Sequence, residues 1–147
     1  MLTAALGYEA MRAAGRTAHG GTLHLEVDYG LSDSWSLRAT GRYVGSKAPP
    51  PEPGVVQVGS LSLGALYTFD VLKVVPWAGL ALGASLIHGA GEDHRVNAEL
   101  QAFVGADYLV RRDFSVGLAL TYALQLPDAT RFPWALGIVL RFSFRAQ

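Results

Sequence analysis

The stretch FPWALGIVLRFSFRAQ, residues 132–147, decides the fold because its side chains divide into two sets with a strict period of two. Successive side chains of a β-strand point to opposite faces of a sheet, so this period is typical of a strand. One face carries Trp134, Leu136, Ile138, Leu140, Phe142 and Phe144, and the other carries Ala135, Gly137, Val139, Arg141, Ser143 and Arg145. The pattern leaves open which face meets water, because a soluble barrel turns its apolar face inward and a membrane barrel turns it outward.

The composition limits the classes of protein to be considered. A chain of 147 residues is expected to form a single domain spanning residues 1–147, and its net charge of zero gives no electrostatic basis for a nucleic-acid partner. Cysteine is absent, which excludes disulfides, thiolate metal sites and cysteine nucleophiles. Of the twelve basic residues only Lys47 and Lys73 are lysines, and both fall in predicted connections. The predicted strands therefore lack the residue that a solvated surface usually carries.

Reading the whole chain for a period of two predicts eight strands. They cover residues 2–11, 22–30, 35–45, 55–69, 74–87, 96–110, 114–126 and 132–145. The first, third, fifth and seventh connections are long and polar: RAAGRTAHGG, SKAPPPEPG, HGAGEDHR and PDATR. The second, fourth and sixth are the tight turns LSDS, DVLK and RRD. Long connections therefore lie at one end of the sheet and short ones at the other. In the fourth strand the apolar phase changes between Val58 and Leu61, which predicts a β-bulge near Gly59.

Small residues indicate which face is outside. If the barrel were soluble, its outer face would carry Ser62, Gly64, Gly79, Ala81, Gly83, Gly105, Gly117, Ala119 and Gly137. Exposed strands of soluble sheets instead use lysine, glutamate and threonine to maintain solubility. With the faces reversed, the small residues fill a narrow lumen and the larger apolar residues face hydrocarbon. The predicted fold is all-β, an eight-stranded antiparallel up-and-down transmembrane β-barrel.

Aromatic residues recur eight positions apart on the apolar face of three strands. That spacing is about 26 Å along a strand at roughly 3.3 Å per residue, or about 20 Å along the membrane normal after a tilt near 40°. It approximates two aromatic girdles that flank an apolar band, although aromatic residues also favour strands in general. The predicted girdle residues are Trp35, Tyr43, Phe114, Tyr122, Trp134 and Phe142.

Charged residues on the inward face predict a network inside the lumen. The acids are Glu9, Glu26, Asp28, Glu99 and Asp107, and the arginines are Arg38, Arg42 and Arg141. The turn between the second and third strands places Arg38 opposite or diagonal to Glu26 or Asp28. Arg141 lies at the height of Asp107, separated by a strand that offers only Gly117 and Ser115 there. A lumen filled by such pairs has no open channel, so we predict no pore.

Eight strands, short turns at one end, longer polar loops at the other and an aromatic-rich last strand resemble the small outer-membrane β-barrels of the OmpA and OmpX type. The resemblance covers the whole chain. It implies the outer membrane of a Gram-negative bacterium, periplasmic termini, loops outside the cell, and outer-membrane lipid and the barrel assembly machinery as partners. Members of that family end on an aromatic residue that the machinery reads, whereas this chain continues past Phe144 with Arg145, Ala146 and Gln147.

The amino-terminal sequence shows no basic region followed by an apolar stretch and a small-residue cleavage site. If the protein crosses an inner membrane, we expect either that its signal peptide has been removed or that Met1 is not the native mature start.

Candidate chemical groups are few. His88, Glu92, Asp93 and His94 share one predicted loop and could hold a divalent metal, but glycines beside them do not preorganise ligands, so we expect neither a metal nor another cofactor. His19 and His24 are interpreted as a loop residue and a lumen residue. Ser85 and His88 lie three positions apart on one strand and therefore point to opposite faces. We predict that the protein is not an enzyme.

The sequence thus favours a non-enzymatic outer-membrane barrel that contributes to envelope structure or to surface interactions, with an extracellular ligand bound through its loops. Two alternatives remain open at this point. One is an outer-membrane enzyme that modifies lipid, and the other is a soluble lipocalin-like carrier of a small apolar ligand.

Overall fold

The computed structural model describes residues 1–13, 16–47, 55–69, 73–89, 92–126 and 134–145, with backbone alone for residues 13, 16, 89 and 92–95. It contains the strands β1 (Leu2–Ala13), β2 (Arg16–Gly30), β3 (Trp35–Lys47), β4 (Val55–Thr68), β5 (Val74–Gly89), β6 (Glu92–Leu109), β7 (Phe114–Leu126) and β8 (Trp134–Phe144). Each strand pairs antiparallel with its neighbours in the chain, and β1 pairs with β8 to close the barrel. The predicted eight-stranded up-and-down barrel is confirmed. Within the described ranges, no helix is long and apolar enough to cross a membrane.

The tight turns LSDS and RRD are present where the sequence predicts them. In the first, the backbone amides of Leu31 and Ser32 donate to the carbonyl of Trp35 at 2.8 and 3.1 Å. In the second, the amides of Val110 and Arg111 donate to the carbonyl of Phe114 at 3.1 and 3.0 Å. The turn DVLK and the loops SKAPPPEPG and PDATR fall mostly or wholly outside the described residues.

The strands extend further toward the long loops than the sequence predicts. β1 continues to Ala13 and β2 begins at Arg16, so most of RAAGRTAHGG is strand, and β6 begins at Glu92 within HGAGEDHR. His19 therefore lies in a strand rather than in a loop, and Lys47 is the last residue of β3 rather than part of a connection. The apolar alternation marks only the hydrophobic band, whereas backbone pairing continues beyond it through polar residues.

The predicted β-bulge near Gly59 is wrong. The pairing of β3 with β4 runs without a shift from Trp35 opposite Tyr67 to Lys47 opposite Val55. Val58 points into the lumen and is fully buried, because the lumen contains an apolar layer at that height. A register shift occurs instead between Ile87 and Gly89, where β5 pairs with β6.

The larger apolar residues cover the outside of the barrel. Leu61 is 74% exposed, Leu82 is 66% exposed and Leu63 is 61% exposed, whereas the residues between them point inward. The small residues predicted for the lumen all lie on the inward face. A soluble carrier needs the opposite arrangement, with a polar exterior around an apolar cavity. The orientation of the faces therefore disagrees with the lipocalin-like alternative.

We expect Leu118→Arg and Ile138→Arg each to lower the free energy of unfolding in a bilayer by about 2–4 kcal/mol, because arginine near mid-membrane must leave water. Leu126→Arg is the control: at the end of its strand it should cost about 0–1 kcal/mol. Equilibrium unfolding from lipid vesicles measures the differences. Equal stability of all four proteins would contradict the proposed membrane orientation.

Candidate functional site: the barrel lumen

Strand periodicity brings the eight predicted lumen residues onto the inner face of the barrel. β1, β2, β3, β6 and β8 contribute them, and each side chain is buried. Their positions are Glu9 on β1, Glu26 and Asp28 on β2, Arg38 and Arg42 on β3, Glu99 and Asp107 on β6, and Arg141 on β8. These residues form two separate groups, one toward the tight turns and one nearer the loops.

The first group begins at the β2–β3 hairpin, where Asp28 lies directly opposite Arg38. The Arg38 guanidinium donates from Nε to Oδ1 of Asp28 at 2.6 Å and from Nη2 to Oδ2 at 2.9 Å. Its Nη1 lies 3.1 Å from Oε2 of Glu26, which is two residues away on the same strand. The planar guanidinium fork suits this contact because it can bind a carboxylate through two parallel hydrogen bonds.

Arg141 extends this group across the barrel. Its Nη1 donates to both carboxylate oxygens of Asp107 at 2.8 Å, and its Nη2 donates to Oε2 of Glu26 at 2.7 Å. Gly117 lies between Asp107 and Arg141 on the intervening strand. A Cβ atom there would collide with Oδ1 of Asp107, so this approach requires glycine. The result is a continuous chain of ion pairs from Asp28 through Arg38, Glu26 and Arg141 to Asp107.

Two aromatic residues that were not predicted as lumen partners complete this group. The guanidinium carbon of Arg38 lies 4.7 Å from the ring centroid of Trp77 and 5.3 Å from that of Phe103. The guanidinium carbon of Arg141 lies 4.1 Å from the Trp77 centroid. Cation–π contacts of this kind strengthen when they are shielded from water. The sequence does indicate that Trp77 points inward, because it shares its strand face with Gly79 and Ala81, which were predicted to lie in the lumen.

The second group centres on Arg42. Its Nη1 donates to Oε1 of Glu9 at 2.9 Å, its Nη2 donates to Oε2 of Glu99 at 2.7 Å, and its Nε donates to Oγ of Ser60 at 3.1 Å. Gln101 donates its amide to Glu99 and accepts a hydrogen bond from Ser62 at 3.0 Å. Arg42 thus joins β3 to β1 and β6, which lie on either side of the lumen.

An apolar layer lies beyond Arg42 toward the loops. It consists of Met11, Val44, Val58, Ala123 and Ala135, with Val56 and Ile87 packed against it. Buried polar residues such as Thr22, directly opposite Val44, lie beside this cluster, so it narrows the lumen by packing. The lumen therefore combines two groups of ion pairs with two clusters of buried apolar side chains.

The predicted girdle residues lie on the outer face. Trp35, Phe114 and Phe142 stand near the turns, and Tyr43, Tyr122 and Trp134 stand near the loops. At the turn end Trp35 contacts Tyr67 edge-on with ring centroids 5.1 Å apart. Further aromatic residues there, unassigned by the sequence analysis, are Tyr67, Phe69 and Phe144.

The remaining candidate residues do not form a reactive centre within the described part of the chain. Ser85 is buried in the lumen, whereas His88 is on the outer face. His24 is buried and its Nε2 lies 2.9 Å from Oγ1 of Thr22, while the ring of His19 stacks on Tyr8 at 5.9 Å. No group of three or more potential metal ligands occurs among the described residues, and the side chains of Glu92, Asp93 and His94 lie outside them.

Comparison with known proteins relates the chain to others through its fold. No protein-family model matches it, and no curated protein sequence matches it significantly. The solved structure of Neisserial surface protein A is 18% identical over 97% of this chain and 96% of that chain, with a TM-score of 0.73. The outer membrane enzyme PagL is 16% identical over 99% of both chains, with a TM-score of 0.63. OprG from Pseudomonas aeruginosa is 12% identical over 99% of this chain and 96% of that chain, with a TM-score of 0.58. The fold is therefore that of the small outer-membrane barrels.

We expect Arg38→Ala to lower the free energy of unfolding by about 3 kcal/mol, because it leaves the buried carboxylate of Asp28 without its partner. Chemical unfolding in detergent measures the loss, and Arg38→Ala/Asp28→Ala completes a double-mutant cycle. The double variant should lose less than the sum of the two single variants. Additive losses would mean that the 2.6 Å contact contributes nothing to stability.

Proposed function

We propose that this protein is a non-enzymatic barrel of the outer membrane of a Gram-negative bacterium, which holds its loops outside the cell for envelope structure or surface interaction. The observation that carries the proposal is the filled lumen, in which charged and apolar layers occupy the space that a pore or a ligand would need. A barrel that neither conducts nor encloses a ligand can act through its outer wall and its loops.

The outer wall supports a membrane location. Among the strand residues whose side chains the structure describes, the outer faces carry no carboxylate, and their fixed positive charges are Arg12 and Lys47, both near the loop end. Such a wall is compatible with hydrocarbon but would promote aggregation in water. The lipid of the outer membrane and the barrel assembly machinery are accordingly the partners that we propose for it.

An enzyme acting on membrane lipid is the second candidate, because the fold is shared with the outer membrane enzyme PagL. A serine nucleophile would have to face the lipid, since the substrate lies outside the barrel. Among the described strand residues every serine is on the inward face: Ser36, Ser46, Ser60, Ser62, Ser85, Ser115 and Ser143. This arrangement favours the non-enzymatic proposal.

Protease added to intact cells should cut within SKAPPPEPG and spare LSDS and RRD, because the tight turns are short and would face the periplasm. Most residues of RAAGRTAHGG and HGAGEDHR belong to strands and should be cut much less. Fragment masses identify the cut sites. The uncut protein should fractionate with the outer membrane and migrate differently in unheated and heated electrophoresis. Cleavage only after lysis would contradict the proposed orientation.

In planar bilayers the wild-type barrel should show no steady current steps, because both the Arg42 bridge and the apolar layer obstruct the lumen. Val44→Ala/Val58→Ala thins the apolar layer but leaves the Arg42 bridge intact, so this variant should also remain closed. Reproducible single-channel steps from the wild-type protein would show that the lumen is a pore.

A further inference from the structure

The buried charges of the lumen do not balance. Among the buried side chains that the structure describes, five are carboxylates and three are guanidinium groups. In the group centred on Arg42, one guanidinium serves the carboxylates of both Glu9 and Glu99, so one negative charge remains. Burying an uncompensated charge is costly, and a second positive charge beside this group would offset the cost.

The hydrogen bonds of this group locate the remaining charge. Arg42 donates to Oε1 of Glu9 and to Oε2 of Glu99. The other carboxylate oxygen of Glu99 accepts the amide of Gln101. Oε2 of Glu9 has no hydrogen-bond partner among the described residues, although Glu9 is only 1% exposed. Because buried polar atoms are nearly always paired in folded proteins, this oxygen marks a place where a further group binds.

A second unpaired oxygen lies across one glycine from Glu9. Gly137 pairs with Glu9 on β1 and with Thr121 on β7, so the three residues form a row across the sheet. A Cβ atom added to Gly137 would lie 3.5 Å from Oε2 of Glu9 and 2.7 Å from Oγ1 of Thr121. The Thr121 hydroxyl oxygen is buried and also has no hydrogen-bond partner in the described part of the chain. Both oxygens therefore border the place that a side chain would take at residue 137.

The row at Gly117 shows how the lumen fills such a place elsewhere. There the carboxylate of Asp107 lies over the glycine and receives Arg141 from the next strand. Over Gly137 the two nearest atoms are instead the unpaired oxygens of Thr121 and Glu9. The Thr121 hydroxyl has one proton to donate but brings no charge. A cation that takes both oxygens as ligands would complete this row as Arg141 completes the other.

The ligands, the space and the charge together define the ion. Carboxylate and hydroxyl oxygens suit hard cations. A divalent ion would leave the Arg42 group with a net positive charge, whereas a monovalent ion would neutralise it. The space between the two oxygens is about that of one methyl group, which favours a small monovalent ion over a large one.

We propose that Glu9 and Thr121 bind one sodium ion over Gly137. The site joins β7, β8 and β1, so it spans the seam at which the last strand pairs with the first. The ion braces the closed barrel and stays bound, which agrees with a lumen that does not conduct. The site is separate from the loop acids Glu92 and Asp93, and it depends on neither the membrane location nor the partners of the loops.

The test measures how sodium changes the stability of the full chain folded in detergent. Urea unfolding is followed at constant ionic strength, with choline chloride replacing sodium chloride so that general screening stays the same. An ion that binds only the folded barrel with a Kd of about 10 mM raises the folding equilibrium constant about tenfold at roughly 100 mM. We expect this increase for the wild type in sodium relative to choline, and a smaller increase in potassium.

Two variants remove the site and a third is the matched control. Glu9→Gln keeps the shape of the side chain but removes the excess charge, so it should abolish the dependence on sodium. Thr121→Val replaces the hydroxyl with a methyl group and should reduce the dependence severalfold. Thr40→Val makes the same replacement at a lumen threonine opposite Glu26, and it should keep the full dependence.

An NMR titration of the wild type with sodium locates the ion even if a variant fails to fold. The amide resonances of Glu9, Thr121 and Gly137 should shift, and those of Asp28 and Asp107 should not. Absence of these shifts, equal stability in sodium and choline, a dependence that Glu9→Gln retains, or a larger effect of calcium would each overturn the site. Stability that rises on acidification and ignores sodium would mean that a proton balances the charge, and it would overturn the site as well.

Discussion

The interior of this barrel depends on one shared contact, in which Oε2 of Glu26 receives Arg38 at 3.1 Å and Arg141 at 2.7 Å. Removing a carboxylate from water is costly, and the cost is offset only when its oxygens are fully paired. Glu26 offsets part of this cost by pairing Oε2 with two arginines that come from β3 and β8. Arg38 also binds Asp28, and Arg141 also binds Asp107. The contact at Glu26 therefore links the carboxylate of Asp28 to that of Asp107 on the far side of the lumen. The same ion pairs that make the interior polar therefore also connect strands that do not share a backbone ladder.

The positions of the aromatic and small residues follow from that contact. Two neighbouring guanidinium groups repel each other, and the ring of Trp77, with a centroid 4.7 Å from one and 4.1 Å from the other, presents its negative face to both. A lumen that holds such large groups in a barrel of only eight strands must save volume elsewhere. It does so at Gly117, where the carboxylate of Asp107 occupies the space of a side chain. The glycine at position 117 is thus a consequence of the charge network.

The sequence predicted the features that depend on residues close together in the chain, and it missed those that depend on how the barrel closes. The strands and their faces follow from the period of two, and the contact of Arg38 with Asp28 follows from the register of one hairpin. The partners of Arg42 were not predictable, because Glu9 and Glu99 come near it only when the barrel closes with a particular shear. Val58 was misread because an apolar layer inside a polar lumen has the same sequence pattern as a change of register. Trp77 lay on the correct face, but its role required the distances to both arginines.

The inner and outer glycines differ in whether the fold requires them. An inner glycine such as Gly64 is fixed by the neighbouring backbone, so any protein with this lumen would need it or a compensating change. An outer glycine such as Gly59 contacts nothing that would exclude a side chain, although a larger residue would improve both strand propensity and contact with hydrocarbon. Stability alone would therefore favour a larger residue at Gly59. The outer wall is therefore free to vary at such positions, whereas the inner wall is fixed by the lumen that it encloses.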